Sequence, residues 1–341
     1  MMKRLAFILL ALVTGATALA VEQAGVGPGP GTRYATDAYP GFDREEEIVA
    51  PSRKEPKWFS FINGPNRDNA TEQLAYCREL MTEENWSKAA KHLDALVREW
   101  PTAAEAPEAQ RLLAEVYRDK ILDFEEAHHA YMYLADFYSL QCDYTKTTDL
   151  MYEAAGLMRQ EGKTIVFFRF DNTVDVRRAY EACVLRAPGA SWAPQAMLTI
   201  GELREDEGKF FEAIKVYENL INIHGERPEA KVAILRQANV RMQVLREHGY
   251  NRERCRDTID FFRLALTTCD VKDVSQMQEF LAEAKALLEE ESYKAAKFYD
   301  SRTRTVRTAI RAYEEFLAEY PESAHAEEIK ERLAQLKGPA K

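Results

Sequence analysis

The sequence lacks the cysteine pattern of a disulfide-stabilised protein. Its five cysteines form an odd, widely spaced set without a CxxC pair: Cys77, Cys142, Cys183, Cys255 and Cys269. That pattern excludes a disulfide scaffold and a thiol redox motif, although it leaves open whether a single bridge forms. Most of these thiols are expected to be small buried side chains.

Positive charge and long apolar runs are also scarce. Acidic residues outnumber lysine and arginine by 56 to 46, which gives a net charge of −10. Such a chain is a poor general partner for nucleic acid, because the phosphate backbone rewards a basic surface. After residue 20, no stretch approaches the roughly 20 apolar residues that cross a bilayer, so the mature chain is expected to be soluble.

Motifs for catalysis are missing as well. The chain contains no GxSxG, P-loop, dinucleotide-binding or HExxH sequence, so we predict no catalytic, cofactor or metal site. His128 and His129 come nearest to a metal site, but adjacent positions point about 100° apart on a helix. A metal-dependent enzyme that uses these histidines or the segment 164–170 is the alternative from another functional class.

The chain begins with a targeting pattern. Lys3 and Arg4 precede an uncharged apolar run, and Ala18-Leu19-Ala20 supplies small residues at alternate positions. This is the layout of a secretory signal peptide, so residues 1–20 are predicted to be removed by cleavage near Ala20.

Residues 21–66 are predicted to form a flexible leader with little packed structure. The glycines and prolines between Gly25 and Gly31 oppose helix formation, and an acidic run follows at residues 45–47. Within the leader lies an apolar patch, Trp58-Phe59-Ser60-Phe61-Ile62. We expect this patch to cap the first helix pair, and a segment that binds a partner is the alternative.

From Asn69 onward the pattern is helical nearly to the end. Asn69 and Glu72 have the spacing of a capping box, and apolar residues recur at intervals of three and four. The exception is the segment 164–170, whose β-branched and aromatic residues predict a short strand or an extended insertion.

Repeated spacings of small residues mark the helical region. In four segments a small residue is followed by a large apolar one four positions on; these small residues are Ala89, Ala127, Ala213 and Ala309. Each has another small residue 12 or 13 positions upstream: Cys77, Ala114, Gly201 and Ala296. A small residue lets two helices approach closely, while the larger residues fill the groove between them. Two further units, around Tyr180 and Phe262, are degenerate.

This spacing resembles the tetratricopeptide repeat, a helix–turn–helix unit of 34 residues. The best match runs from Met197 through Gly201 to Leu220, while Trp100-Pro101 and Tyr320-Pro321 match the proline that closes the family's repeat. The resemblance implies an all-α fold, namely a right-handed α-solenoid of about five to six helix pairs over residues 67–338.

The C-terminal stretch carries a closer resemblance. Ala295-Ala296-Lys297-Phe298-Tyr299, Tyr320-Pro321-Glu322-Ser323 and Ala326-Glu327-Glu328 are similar to the BamD family of lipoproteins, which take part in outer-membrane β-barrel assembly. Family members carry a lipid-bearing cysteine after a Leu-Thr/Ser-Gly sequence, but here Ala16 follows Thr14-Gly15. No lipid anchor is therefore predicted, and the mature protein is expected in the periplasm, with peripheral outer-membrane association only through partners.

The resemblance implies a non-catalytic scaffold for proteins of barrel assembly, and a coordination adaptor of the Tol–Pal-associated tetratricopeptide type is the alternative. By the same resemblance, the groove of the best repeat presents an acidic face that suits a basic or extended peptide: Gln195, Leu198, Glu202, Glu205 and Asp206. A second candidate partner surface is a basic cluster, since arginine is enriched at interfaces: Arg302, Arg304, Arg307 and Arg311. A solvated turn and helix face is the plainer interpretation of these arginines.

Overall fold

The structure is a computed structural model. It describes residues 39–43, 64–161, 163–165, 168–170, 172–247, 251–268, 274–302 and 306–338. The predicted signal peptide, most of the predicted leader with its patch at residues 58–62, and Cys269 lie outside the described residues.

Thirteen α-helices and one hairpin make up the described part of the chain. The helices are α1 (Ala70–Thr82), α2 (Trp86–Glu99), α3 (Ala106–Val116), α4 (Phe124–Phe137), α5 (Tyr144–Glu161), α6 (Thr173–Arg186), α7 (Ala193–Asp206), α8 (Phe210–His224), α9 (Pro228–Glu247), α10 (Arg252–Thr268), α11 (Val274–Arg302), α12 (Val306–Glu319) and α13 (Ala326–Lys337). A π-helical turn, Tyr117–Ile121, continues α3. Between α5 and α6, the segment predicted to be a strand or an insertion forms two antiparallel strands, β1 (Lys163–Ile165) and β2 (Phe168–Phe170), with Lys163 opposite Phe170.

The chain forms two compact units, and the boundary between Glu212 and Ala213 falls within α8. In the first unit each helix from α1 to α6 packs on the next one along the chain. In the second unit α9, α10, α11, α12 and α13 do the same, and α9 also contacts α11. The prediction of an all-α chain built from consecutive helix pairs is therefore confirmed.

Local sequence signals set the helix ends. The Asn69 side chain accepts a hydrogen bond from the backbone N–H of Glu72 at 2.9 Å, as the capping pattern predicted. Asp123 caps α4 in the same way through the N–H of Glu126. Prolines occupy the first turns of α3 and α7, where the missing N–H would have no helical partner anyway.

The predicted small residues lie in the helix packing. Ala89, Ala114, Ala127 and Ala213 have no exposed surface, and each allows a neighbouring helix to approach closely. The large residues four positions after Ala89, Ala127, Ala213 and Ala309 are buried as well: Leu93, Tyr131, Tyr217 and Tyr313. Burial of each such side chain contributes roughly 1.5–3 kcal/mol. Among the described cysteines, Cys77, Cys183 and Cys255 are buried, as expected, whereas Cys142 is half-buried.

Candidate functional site

A groove of about 800 Å³ opens in the first unit between α3, α4 and α5. The turn before α3 closes one end of the groove with Pro101, Ala103 and Ala104. The walls are formed by α3 and α5, and α4 forms the floor. Residues from these helices include Glu108, Arg111, Glu115, Tyr131, Leu134, Phe137, Tyr138, Lys146 and Leu150.

The groove is held open by contacts of its own lining residues. The Tyr138 hydroxyl donates to the carbonyl oxygen of Pro101 at 2.7 Å, which fixes the end of α4 against the turn before α3. On the floor, Leu134 is almost fully buried, and the half-buried Phe137 ring packs with its centroid 4.4 Å from that of the Tyr133 ring, at a tilt of 31°. The floor is therefore a packed apolar surface whose shape exists before any ligand arrives.

Tyr131 supplies the polar feature of the floor. Its side chain is buried, and its hydroxyl has no hydrogen-bond partner among the described residues. Burial raises the pKa of Tyr131, so the phenol stays protonated and available as a donor. An unpaired buried polar group costs about 1–3 kcal/mol. Because the hydroxyl lies beneath the surface of the groove, an acceptor could reach it only if the neighbouring side chains move.

Charges of both signs line the rim. Arg111 pairs with Glu115 at 2.6 Å along α3, and Glu108 pairs with Arg78 of α1 at 2.7 Å. Lys146 on α5 is exposed. A narrow apolar floor with a mixed polar rim suits a polypeptide segment better than a nucleic acid, which would need a uniformly basic surface.

The acidic face predicted on α7 is partly occupied within the chain. Gln195 and Asp206 are exposed, and Glu205 is half-buried. Leu198 is only 5% exposed, so it belongs to the helix packing rather than to an open surface. The carboxylate of Glu202 lies 3.1 Å from Arg159 of α5. Without repacking, this face offers a partner mainly Gln195 and Asp206.

The predicted arginine cluster is described only in part. Arg307 and Arg311 are exposed one turn apart on α12, and Arg311 pairs with Glu315 at 2.7 Å. Arg302 ends α11, but its side chain lies outside the described residues, as does the whole of Arg304. The gathering of all four side chains stays a prediction.

The adjacent histidines do not converge on a metal site. His128 is buried, with its Nε2 atom 3.1 Å from the carbonyl oxygen of Ala179, while His129 is exposed. Burial lowers the pKa of His128 to about 3, so the neutral ring donates to that carbonyl. Within the described ranges, no group of three His, Cys, Asp or Glu side chains is placed to hold a metal ion.

Sequence reasoning missed a buried charge cluster that joins the leader to α6 and α7. Asp43 pairs with Arg177 at 2.8 Å and with Arg204 at 2.9 Å, both of which have almost no exposed side-chain surface. Residues 39–43 of the predicted leader are therefore docked on α6 and α7, while the prediction for the leader as a whole stays a prediction. The Pro40-Gly41 dipeptide is a turn signal that would have marked this segment, but nothing local names its distant partners.

None of the described helices has both the length and the apolar character needed to cross a membrane.

Comparisons with known proteins add little to the description of this fold. No protein-family model matches the sequence, and no curated protein matches it. Among solved structures, a tetratricopeptide repeat protein from Parabacteroides merdae ATCC 43184 is 13% identical, with 79% of this chain and 99% of that chain covered and a TM-score of 0.27. The fold described above rests on the helix contacts alone, since so loose a superposition adds nothing to them.

Proposed function

We propose that this protein is a non-catalytic scaffold that binds a segment of another protein in the groove between α3, α4 and α5. The observation that carries the proposal is the groove itself, a cleft of about 800 Å³ with an apolar floor and a rim that carries charges of both signs. Apolar side chains of an entering polypeptide would pack on that floor. The mixed charges of the rim would then select among partners.

The cellular setting belongs to the same proposal. The segment that resembles a signal peptide, together with the BamD-like residues 295–328, supports a periplasmic scaffold in outer-membrane β-barrel assembly. An envelope-coordination adaptor of the Tol–Pal-associated type is the second candidate, because such proteins share the same short sequence motifs. In either setting the protein would reach the outer membrane through its partners.

A pair of matched substitutions tests the groove. Ala104 is exposed at the end of the groove, and Ala75 is exposed on α1 outside the groove lining. Ala104→Trp should obstruct the groove and lower partner binding about tenfold, on the scale of a lost interface anchor. Ala75→Trp adds the same side chain elsewhere and should leave binding unchanged.

The measurement is capture of cell-envelope proteins by cross-linking to the full-length chain, followed by identification and titration of each captured protein. Recovery of a barrel-inserting protein supports the first setting, whereas recovery of only Tol–Pal or peptidoglycan-linked proteins supports the second. Equal capture by the two tryptophan variants would show that the groove is not the binding site. Metal analysis of the purified protein tests the alternative of a metal-dependent enzyme. A stoichiometric metal ion would support that alternative.

A further inference from the structure

The leader segment 39–43 is a preformed turn. The N–H of Phe42 donates to the carbonyl oxygen of Tyr39 at 3.1 Å, which closes a four-residue turn. Pro40 occupies its second position, and Gly41 occupies the third with a φ of +96°. These are the residues that a type II turn favours at those two positions, because the third position needs a positive φ. The rings of Tyr39 and Phe42 stack at 5.1 Å across the turn.

The surface that receives this turn is built around two buried arginines. Arg177 of α6 contacts Glu181 at 2.7 Å and also Glu207, the residue that follows α7. Arg204 of α7 contacts the same two carboxylates, at 3.2 Å and 3.4 Å. Both guanidinium groups are therefore positioned by glutamates of the folded unit, without help from the leader.

The Nη2 atoms of both arginines point at one carboxylate. Arg177 Nη2 lies 2.8 Å from Asp43 Oδ2, and Arg204 Nη2 lies 2.9 Å from Asp43 Oδ1. Arg204 Nη2 also donates to the carbonyl oxygen of Gly41 at 2.6 Å, while the N–H of Asp43 donates to Glu181 at 3.2 Å. The site therefore contacts both the side chain and the backbone of the turn.

Charge balance favours an anion at this position. Glu181 and Glu207 face Arg177 and Arg204, and two further cations lie nearby at more exposed positions. Lys209 lies 2.8 Å from Glu207, and Arg178 lies 3.7 Å from Asp43. Without Asp43 the two buried guanidinium groups would be left with Glu181 and Glu207, and burial raises the pKa of Glu181 to about 7, which weakens its balancing charge near neutral pH. Although burial opposes ionisation of Asp43, the hydrogen bonds from Arg204 and Arg177 lower its pKa to about 2.

From these contacts we infer that the α6–α7 cluster is a binding site for an acidic turn peptide of the form Pro-Gly-aromatic-Asp. The chain fills the site with its own residues 39–43, which anchors the leader at that point. A separate peptide with the same turn should bind when the internal copy is weakened. The inference does not depend on the groove between α3, α4 and α5.

The test uses full-length chains and a labelled synthetic peptide of residues 37–45. Two host variants weaken the internal turn: Asp43→Asn removes its charge, and Gly41→Ala strains its positive φ without changing any charge. Each host should bind the peptide more tightly than the wild-type chain does, because the internal turn no longer competes. Circular dichroism and a thermal midpoint show that each host keeps its fold.

Three altered peptides separate charge from turn geometry. A peptide with Asp43→Asn should bind on the order of 30-fold more weakly or worse, the scale for truncation of one partner in a buried charge pair. A peptide with Gly41→Ala should also lose affinity, whereas D-alanine at that position should retain it, since a D-residue favours positive φ. Failure of both hosts to bind the parent peptide, or equal binding of the Asp43→Asn peptide, would overturn the inference.

Discussion

Asp136 accepts two hydrogen bonds from the guanidinium group of Arg186, with Nε–Oδ1 at 2.9 Å and Nη2–Oδ2 at 2.7 Å. The pair joins α4 to α6 and so links two successive helix pairs of the first unit. The side chain of Arg186 has no exposed surface. Two parallel hydrogen bonds between ions make this a geometrically specific contact as well as an electrostatic one.

Removal of one partner of this pair should be strongly destabilising. Asp136→Ala removes the carboxylate that accepts two hydrogen bonds from the buried Arg186 charge, and we expect a loss of about 3–5 kcal/mol in the free energy of unfolding. The double variant Asp136→Leu with Arg186→Met removes both charges and should recover most of that loss. Urea denaturation measures both effects.

A control comes from the exposed pair Arg263–Asp260, whose side chains are mostly open to solvent. Asp260→Ala should change the free energy of unfolding by no more than about 1 kcal/mol. A comparably small effect of Asp136→Ala would show that the buried pair does not link the two helix pairs energetically.

His128 should make stability depend on pH. Its pKa is held near 3 in the folded chain by burial, whereas an unfolded histidine titrates at its ordinary 6.5. The unfolded state therefore binds the extra proton first as the pH falls. The neutral His128 ring therefore contributes fully to the stability of the folded chain above pH 6.5. Below pH 6.5 that contribution is lost, and the equilibrium constant for unfolding rises by up to about tenfold for each pH unit.

The neighbouring histidine provides the matched control for this effect. His128→Gln should flatten the fall in stability between pH 6.5 and 4, whereas His129→Gln, at an exposed position, should change the profile much less, because it removes only a repulsion that is secondary to burial in lowering the pKa of His128. Thermal midpoints of the three chains across that range measure the difference. Identical profiles for His128→Gln and the wild type would contradict the buried neutral assignment.

Replacement of a buried small residue by a larger one should destabilise the helix packing. Ala114 has no exposed surface on α3, so Ala114→Leu would overpack the contact between neighbouring helices and should cost about 1–3 kcal/mol. Ala104→Leu adds the same atoms at an exposed position and should stay within about 0.5 kcal/mol of the wild type. Chemical denaturation compares them, and equal effects would count against close packing at Ala114.

The turn between α1 and α2 contains backbone strain that one substitution can relieve. Glu84 has a φ of +58°, a left-handed conformation that glycine adopts without steric penalty. Glu84→Gly should therefore stabilise the chain by about 0.5–1 kcal/mol once the added freedom of the unfolded chain is included. Glu83 has a φ of −79°, so Glu83→Gly should be destabilising. A thermal midpoint that falls in both variants would argue against strain at Glu84.

The candidate groove could be foreseen only in part. The spacing between Ala127 and Tyr131 correctly predicted that Tyr131 fills a helix contact. Nothing in that spacing indicated an unpartnered hydroxyl, because the neighbours of a buried atom come from three helices and a turn. The predicted acidic face on α7 was an inference from the family pattern, which does not show that Arg159 of α5 reaches Glu202.

The sequence by itself determined the helices, many of their ends and their order of pairing, because capping residues and small–large spacings act over a few residues and repeat along the chain. Only the tertiary structure decided that Asp43 meets Arg177 and Arg204, which lie 134 and 161 residues away. Such a contact depends on which side of each helix remains open after packing. The physical reason is range: helix formation is governed by neighbours in sequence, whereas a buried ion pair is selected by groups that only folding brings together.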